Sequence, residues 1–291
     1  MKFAELKKVT RPNSIAEAVR ILSDEKRKAI PFGGGVSFIF APPAGVEELV
    51  LLSSLPLSYV KKQAGGLRIG AATPIADIVD SPPVEDYAGG VLGEAARGIG
   101  STLNRNLITI GGNLVQPFIW SDLPTLVLAL GAKLKIQGKK SRILSAEKFF
   151  SRIPRQVLKR GELLTEIIFP PLSPNSRAAW RAFTLTENDF ALLKTAVVLS
   201  RSRRLCREIV ITAGGGRLLP QRLRKAEEAL RGKKVTQLLV NQTSEIAAEE
   251  LQLSPDIRCS QEYKQNLGRA LIRGILEEIL LDQKVPEWKL L

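Results

Sequence analysis

Two short runs in this chain place glycines where a diphosphate would need them: Gly33-Gly-Gly-Val-Ser-Phe38 and Thr109-Ile-Gly-Gly-Asn113. A diphosphate presents several anionic oxygens. Backbone N–H groups converge on such oxygens best where glycine removes the Cβ and admits unusual dihedrals. The first run follows an apolar segment and carries the small hydroxyl of Ser37. The second sets two glycines between Thr109 and Asn113, whose side chains can hydrogen-bond. Either run alone reads as a tight turn; two in one region favour the diphosphate. A nicotinamide-type fingerprint fits poorly, because Phe38 stands where a third glycine belongs and no clear acidic strand end follows. Gly214-Gly-Gly216 reads as a turn. Asp122, between Trp120 and Pro124, reads from position alone as a helix N-terminal carboxylate held by the helix dipole, with a ribose hydroxyl as its alternative partner.

Composition narrows the chemistry further. The chain has no histidine, which excludes a catalytic imidazole, a zinc site of the usual kind and a histidine-ligated haem. Its two cysteines, Cys206 and Cys259, are too few for a disulfide framework or a four-thiolate iron–sulfur site. Redox chemistry here would fall to an organic cofactor, and a flavin fits because the protein mainly holds and orients it. The formal charge of +14 suits an anionic cofactor or an acidic partner subunit. Nucleic acid is disfavoured: the densest basic cluster, Arg201–Arg207, contains no aromatic for base stacking. No apolar run reaches bilayer length, and the N-terminal Met1-Lys-Phe-Ala-Glu-Leu-Lys-Lys lacks a signal core, so a cytoplasmic location is expected.

The elements that position these residues follow from pattern. Ser14-Ile-Ala-Glu17 has capping-box spacing, and Ile15, Ala18, Val19 and Leu22 share one helical face. Lys28–Phe32 and Leu49–Leu52 read as strands, as does Leu67–Ala72, which ends at Thr73-Pro74, an expected N-cap and first helical residue. Val91–Ile99 is helical, Leu107–Ile110 a strand, Leu123–Leu130 a helix, and Ala132–Ile136 and Leu163–Phe169 strands. Pro170–Ser176 is a linker. Beyond it, Leu192–Ser200 and Leu205–Thr212 form an antiparallel pair around the Arg201–Arg204 turn. Helices follow at Arg222–Leu230, Val235–Leu251 and Tyr263–Leu281. The C-terminal part is therefore a small α+β domain.

In order and spacing these motifs resemble the FAD-binding medium subunit of molybdenum hydroxylases, the family of xanthine dehydrogenase and carbon monoxide dehydrogenase. The resemblance covers nearly the whole chain. It is carried by Gly33–Phe38, Leu67–Thr73, Gly100-Ser101, Arg105-Asn106, Thr109–Leu114, Ser121–Pro124 and Leu128–Ala132. Leu164–Pro170, Asn188–Ala191, Gly214-Gly215 and Ser254–Arg258 with Ser260 and Tyr263 add to it.

The resemblance implies an α+β protein with an FAD-binding fold of the vanillyl-alcohol oxidase type. Two α/β subdomains, about 1–54 and 55–172, would form an FAD-binding domain over 1–172. A C-terminal α+β domain with a small antiparallel sheet would follow over 177–285. It implies that Gly33, Gly34, Gly35, Val36, Ser37 and Phe38 line the pyrophosphate. Thr109, Ile110, Gly111, Gly112 and Asn113 would hold the diphosphate and ribityl region, and Asp122 the adenosine ribose, in place of the helix-terminal role that position alone suggests. Leu164 and Arg181 would lie near adenine and flavin. Of the two segments, Thr109–Asn113, backed by Arg105, Asn106 and Asp122, is expected to be the firmer half of the site.

Four features depart from the family pattern: Val36 in place of threonine, Ala41-Pro-Pro43 in place of a methionine–lysine pair, Leu185 in place of a basic residue, and the bulk of Phe118 and Trp120. The implied role is electron transfer with no catalytic side chain in this chain. Electrons would come from [2Fe–2S] clusters on a small subunit, the molybdenum cofactor would sit on a large subunit, and an acceptor such as NAD would take them from FAD. A stand-alone FAD oxidoreductase and a flavin-free scaffold of the same fold remain the alternatives.

Overall fold

The computed structural model describes residues 5–40, 44–186, 189–203 and 205–282. Ala41–Pro43, Asn188, the first four residues and positions 283–285 of the expected C-terminal domain lie outside them. Three sheets follow one another along the chain.

The first sheet has strands β1 (Lys8–Thr10), β2 (Ala29–Phe32) and β3 (Glu48–Leu51) in the order β1-β3-β2, both pairs parallel. Parallel neighbours need a crossover. Helix α1 (Ile15–Ser23) supplies it, buries Ala18, Val19, Ile21 and Leu22, and starts where the Ser14 hydroxyl accepts from the Glu17 N–H at 3.1 Å. The short α2 (Ser37–Phe40) comes directly after the glycine loop.

The second sheet has order β4-β5-β8-β6-β7: β4 (Val60–Gln63), β5 (Gly66–Gly70), β6 (Lys133–Gln137), β7 (Ser141–Ser145) and β8 (Leu163–Phe169). Every pair in it is antiparallel, so the expected α/β label suits the first sheet and not this one. Its helices are α3 (Ile75–Val79), α4 (Pro82–Glu85), α5 (Val91–Arg97), α6 (Thr102–Leu107), α7 (Ile110–Val115), α8 (Leu123–Ala129), α9 (Ala146–Phe149) and α10 (Pro154–Val157). All seven residues of α8 are buried, as expected of a helix apolar on every side and covered on every side.

The third sheet, β12-β11-β10-β9, is antiparallel: β9 (Ser176–Phe183), β10 (Leu193–Ser202), β11 (Leu205–Gly214) and β12 (Gln221–Arg222). Strand alternation divides β10 between two cores. Leu193, Val197 and Leu199 pack with α11 (Arg224–Leu230), α12 (Gln237–Glu250) and α13 (Gln261–Leu281). Ala196, Val198 and, from β9, Trp180 join the core of the second sheet instead. The seam between the two cores is close. Thr212 Oγ1 donates to the Thr125 carbonyl at 2.9 Å, and a Cβ on Gly214 would lie 2.1 Å from Thr125 Oγ1.

Two local expectations fail. Leu107–Ile110 is no strand; it holds the end of α6 and the start of α7, touching Pro74 by one isolated bridge at Thr109. A four-residue apolar run has too little period to separate strand from helix, and the caps decide. Ser101 accepts from the Asn104 N–H, and Thr109 from the Gly112 N–H. Thr73 does not cap α3: its hydroxyl exchanges hydrogen bonds with the backbone N–H and carbonyl of Tyr59, and Pro74 takes the cap position.

Candidate functional site

Between the three sheets lies a cleft of about 1240 Å³, more than the roughly 300–1,000 Å³ of a drug-sized ligand pocket. One wall is the loop from Gly33 to Phe38. It abuts the α6–α7 junction so closely that a Cβ on Gly34 would fall 1.4 Å from the Leu107 carbonyl oxygen, and one on Gly33 3.0 Å from Thr109 Oγ1. The loop turns through Gly35 at φ +77°, which L side chains rarely adopt. Sequence separates the two glycine runs; the fold puts them side by side.

Their donors differ. In α7 the first-turn N–H groups are spent inside the protein. Ile110 donates to Thr73 O at 3.0 Å, Gly111 to Ala71 O at 2.8 Å, Gly112 to Thr109 Oγ1 at 3.1 Å and Asn113 to Thr109 O at 3.0 Å. In the other run, the N–H groups of Gly34, Gly35, Val36 and Ser37 have no acceptor among the described residues. The expected order of the halves is therefore reversed for backbone donors. Gly111 serves packing, since its Cβ would meet Ala71 O at 2.5 Å. What the α7 segment offers the cleft is side chain: Asn113 Oδ1 is buried there with no partner among the described residues.

The remaining walls come from four segments. Arg105 clamps the 97–102 loop by donating to the carbonyls of Arg97, Ile99 and Gly100 and to Thr102 Oγ1. Arg160 ties the 155–164 wall to the first sheet through the carbonyls of Asp24 and Arg27 at 2.7 and 3.1 Å. Leu164 lines the cleft from β8. Phe118 and Trp120, which also line the cleft, stack with centroids 4.9 Å apart and planes 2° apart. Phe190, from the segment between β9 and β10, stacks on Trp120 at 4.6 Å.

Asp122 lines the cleft at the start of α8, but its carboxylate makes no helix cap. It faces Lys194 of β10, whose Nζ lies 3.2 Å from Asp122 Oδ1 and donates to the Ser121 carbonyl at 3.1 Å. Burial pushes the Asp122 carboxyl up and the Lys194 ammonium down, and their mutual attraction opposes both shifts.

The cleft thus gathers Gly33–Phe38, Thr109, Gly111, Gly112, Asn113, Asp122 and Leu164. Two expected residues stand elsewhere. Ile110 is fully buried in the core of the second sheet. Arg181 lies on the face of β9 opposite Trp180 and Ala182, which line the cleft; it pairs with Glu278 and, at 3.4 Å, with Glu94. Sequence reasoning missed Lys194, although a lysine inside the apolar run Leu192–Ser200, in phase with Ala196 and Val198, signals a buried cation with a partner. It also missed Trp180 and the basic segment Arg155–Arg160.

Donors for an anion that are free among the described residues, an orphaned buried acceptor and a buried carboxylate in one cleft suit a ligand with a charged part and hydroxyl-bearing parts. An FAD-sized group fits these residues.

Known proteins agree. The family model described as the FAD binding domain in molybdopterin dehydrogenase matches residues 2–172. The CO dehydrogenase flavoprotein C-terminal domain model matches residues 178–279. The chain is 29% identical to the nicotine 6-hydroxylase medium subunit of Paenarthrobacter nicotinovorans, over 92% of this chain and 95% of that one. It is 27% identical to the carbon monoxide dehydrogenase medium chain of Hydrogenophaga pseudoflava, over 91% and 94%. Among solved structures it is similar to the Cu,Mo-CO dehydrogenase in its cyanide-inactivated form, with TM-score 0.86, 25% identity, and coverage of 95% and 98%. With both halves matched in order, the chain belongs to the family of FAD-binding medium subunits of molybdenum hydroxylase-type oxidoreductases.

Proposed function

We propose that this chain holds FAD in the cleft between its sheets and passes electrons from [2Fe–2S] clusters on a small subunit to an acceptor such as NAD. The molybdenum cofactor would sit on a large subunit. The observation that carries the reading is the pairing of four unspent N–H groups, Gly34 to Ser37, with the orphaned Asn113 Oδ1 in one cleft. Bound there, the isoalloxazine would supply the redox chemistry.

The chain's own part is to bind and orient. Gly34–Ser37 would donate to the diphosphate, and Asn113 Oδ1 would accept from a ribityl hydroxyl. Asp122 would accept from the adenosine ribose. Leu164 would pack near adenine, and the Phe118–Trp120–Phe190 stack would give the cofactor an apolar wall. Arg181 would act at one remove, through Glu94 and β9. In this reading the FAD-binding part runs to residue 172, divided near residue 54, and clasps the cofactor in the manner of the vanillyl-alcohol oxidase fold. The C-terminal domain runs from 177 to 285. The medium-subunit names of the relatives support partner chains, and the assembly would work in the cytoplasm.

The test is direct. The purified chain, denatured to release its cofactor, should show a flavin spectrum near one equivalent. Absence of FAD after reconstitution would overturn the reading.

A further inference from the structure

The Asp122–Lys194 pair has a property that cleft binding alone does not explain. A lysine with no exposed side-chain surface is costly unless it is paired, and aliphatic residues in phase with it on β10 fill the same seam without a charge. Lys194 belongs to the C-terminal sheet, whereas Asp122 begins α8 and lines the cleft. The ammonium approaches from behind the cleft wall. It fixes both the Ser121 carbonyl and Asp122 Oδ1, and only 14% of the Asp122 side chain stays exposed. Asp122 Oδ1 is buried against the ammonium, and no other described residue donates to the carboxylate, so Oδ2 is left to accept from a ligand in the cleft.

We propose that Lys194 is a positioning residue of the cleft: from the C-terminal domain it anchors the Asp122 carboxylate as the acceptor for a vicinal diol, the ribose of an adenosine diphosphate moiety. The proposal rests on the assignment of Asp122 to ribose. Under it, the diol site is complete only when the third sheet is docked against α8.

The charge balance supports this. Other charged groups facing the pair are few. Arg258 acts against the lysine's charge from the 254–259 loop, itself bonded to Asp256 at 3.1 Å and lying 3.9 Å from Asp189. Without Lys194, Asp122 would be a buried carboxyl beside no cation and would hold its proton to higher pH. A protonated carboxyl loses the charge-assisted hydrogen bonds to a diol, which are about twice as strong as neutral ones.

The experiment measures binding of ADP and of 2′,3′-dideoxy-ADP to the flavin-stripped full chain across mildly acidic to mildly alkaline pH. Wild type should prefer ADP. Lys194→Met should lower ADP affinity roughly tenfold near neutrality, shift the acid limb of ADP binding to higher pH, and leave the dideoxy analogue unaffected. Lys194→Arg should restore both the affinity and the limb. If Lys194→Met folds poorly, Asp122→Asn with Lys194→Met removes both charges together, and this pair should bind ADP no worse than Asp122→Asn alone.

Equal loss for ADP and its dideoxy analogue, or an unmoved acid limb, overturns the positioning role while leaving the ribose assignment intact. Failure of wild type to distinguish the two nucleotides overturns the ribose assignment itself, and the proposal with it.

Discussion

Asp256 shows how a single side chain can organise a loop that touches a cleft residue. Burial works against its charge, but hydrogen bonds from the Arg258 backbone and side chain and from Lys264 overcome it, and its carboxyl sits well below the usual carboxylate range. A carboxyl whose folded-state pKa is depressed stabilises the fold above its unfolded value of about 4, and loses that contribution as pH falls through the folded value. Arg258 also donates to the Phe190 carbonyl at 2.8 Å, so the same bond network reaches the aromatic stack. Asp256→Asn should therefore lower stability at neutral pH by about 1–3 kcal/mol and make unfolding less sensitive to acid, measured by urea titration along a pH series. At this scale the residues that line the cleft were legible in part. The paired glycine runs and Thr109 stood out by type and neighbourhood, whereas Asp122 read from position alone as a helix-terminal carboxylate and entered the candidate site only through the family resemblance. Lys194 and Trp180 did not stand out, because their importance depends on which face of a strand meets another domain. Arg181 misled for the same reason, one position out of phase.

Strands and helices with a clean period or a cap were readable from sequence, and the α1 capping box and β8 lie where the pattern put them. The α6–α7 junction was not. Its strand-like residues are two helix ends, and the geometry that makes them so is tertiary: Gly111 rides on Ala71, and Gly34 rides on Leu107. Glycine in a helix costs about 1 kcal/mol against alanine, a cost the chain bears at Gly111 and Gly112 in exchange for close approach. Gly111→Ala should destabilise the protein by about 1–3 kcal/mol despite its better helix propensity, because the added methyl meets Ala71 O at 2.5 Å. Chemical denaturation measures this, and a gain in stability would show that α7 can move off the sheet. The short strands β1, β4, β7 and β9 also escaped notice. Three to eight residues of mixed, half-exposed pattern leave little periodic signal, and pairing partners distant in sequence define them.

At the scale of the whole molecule, the C-terminal sheet is part of the enclosure of α8 rather than an appendage to it. Trp180, Ala196 and Val198 are core residues of the second sheet, and the third sheet's other face carries its own helices. Calorimetry of the full chain should accordingly show one cooperative transition for the second and third sheets, and two well-separated transitions would contradict the shared core. The composition argument, no histidine and two cysteines, had already pointed to an organic cofactor held by a chain without iron–sulfur ligands of its own. What composition left unsaid was the seam, because a shared core is a relation between segments. The stack of Phe118, Trp120 and Phe190 has a practical use as well. Two of the chain's three tryptophans, Trp120 and Trp180, line the cleft from opposite domains. Indole emission overlaps flavin absorption, so the molecule carries its own optical gauge of loading. Titrating FAD into the stripped chain should dim tryptophan fluorescence by more than half, and Trp120→Phe should remove much of that signal while preserving the ring stack.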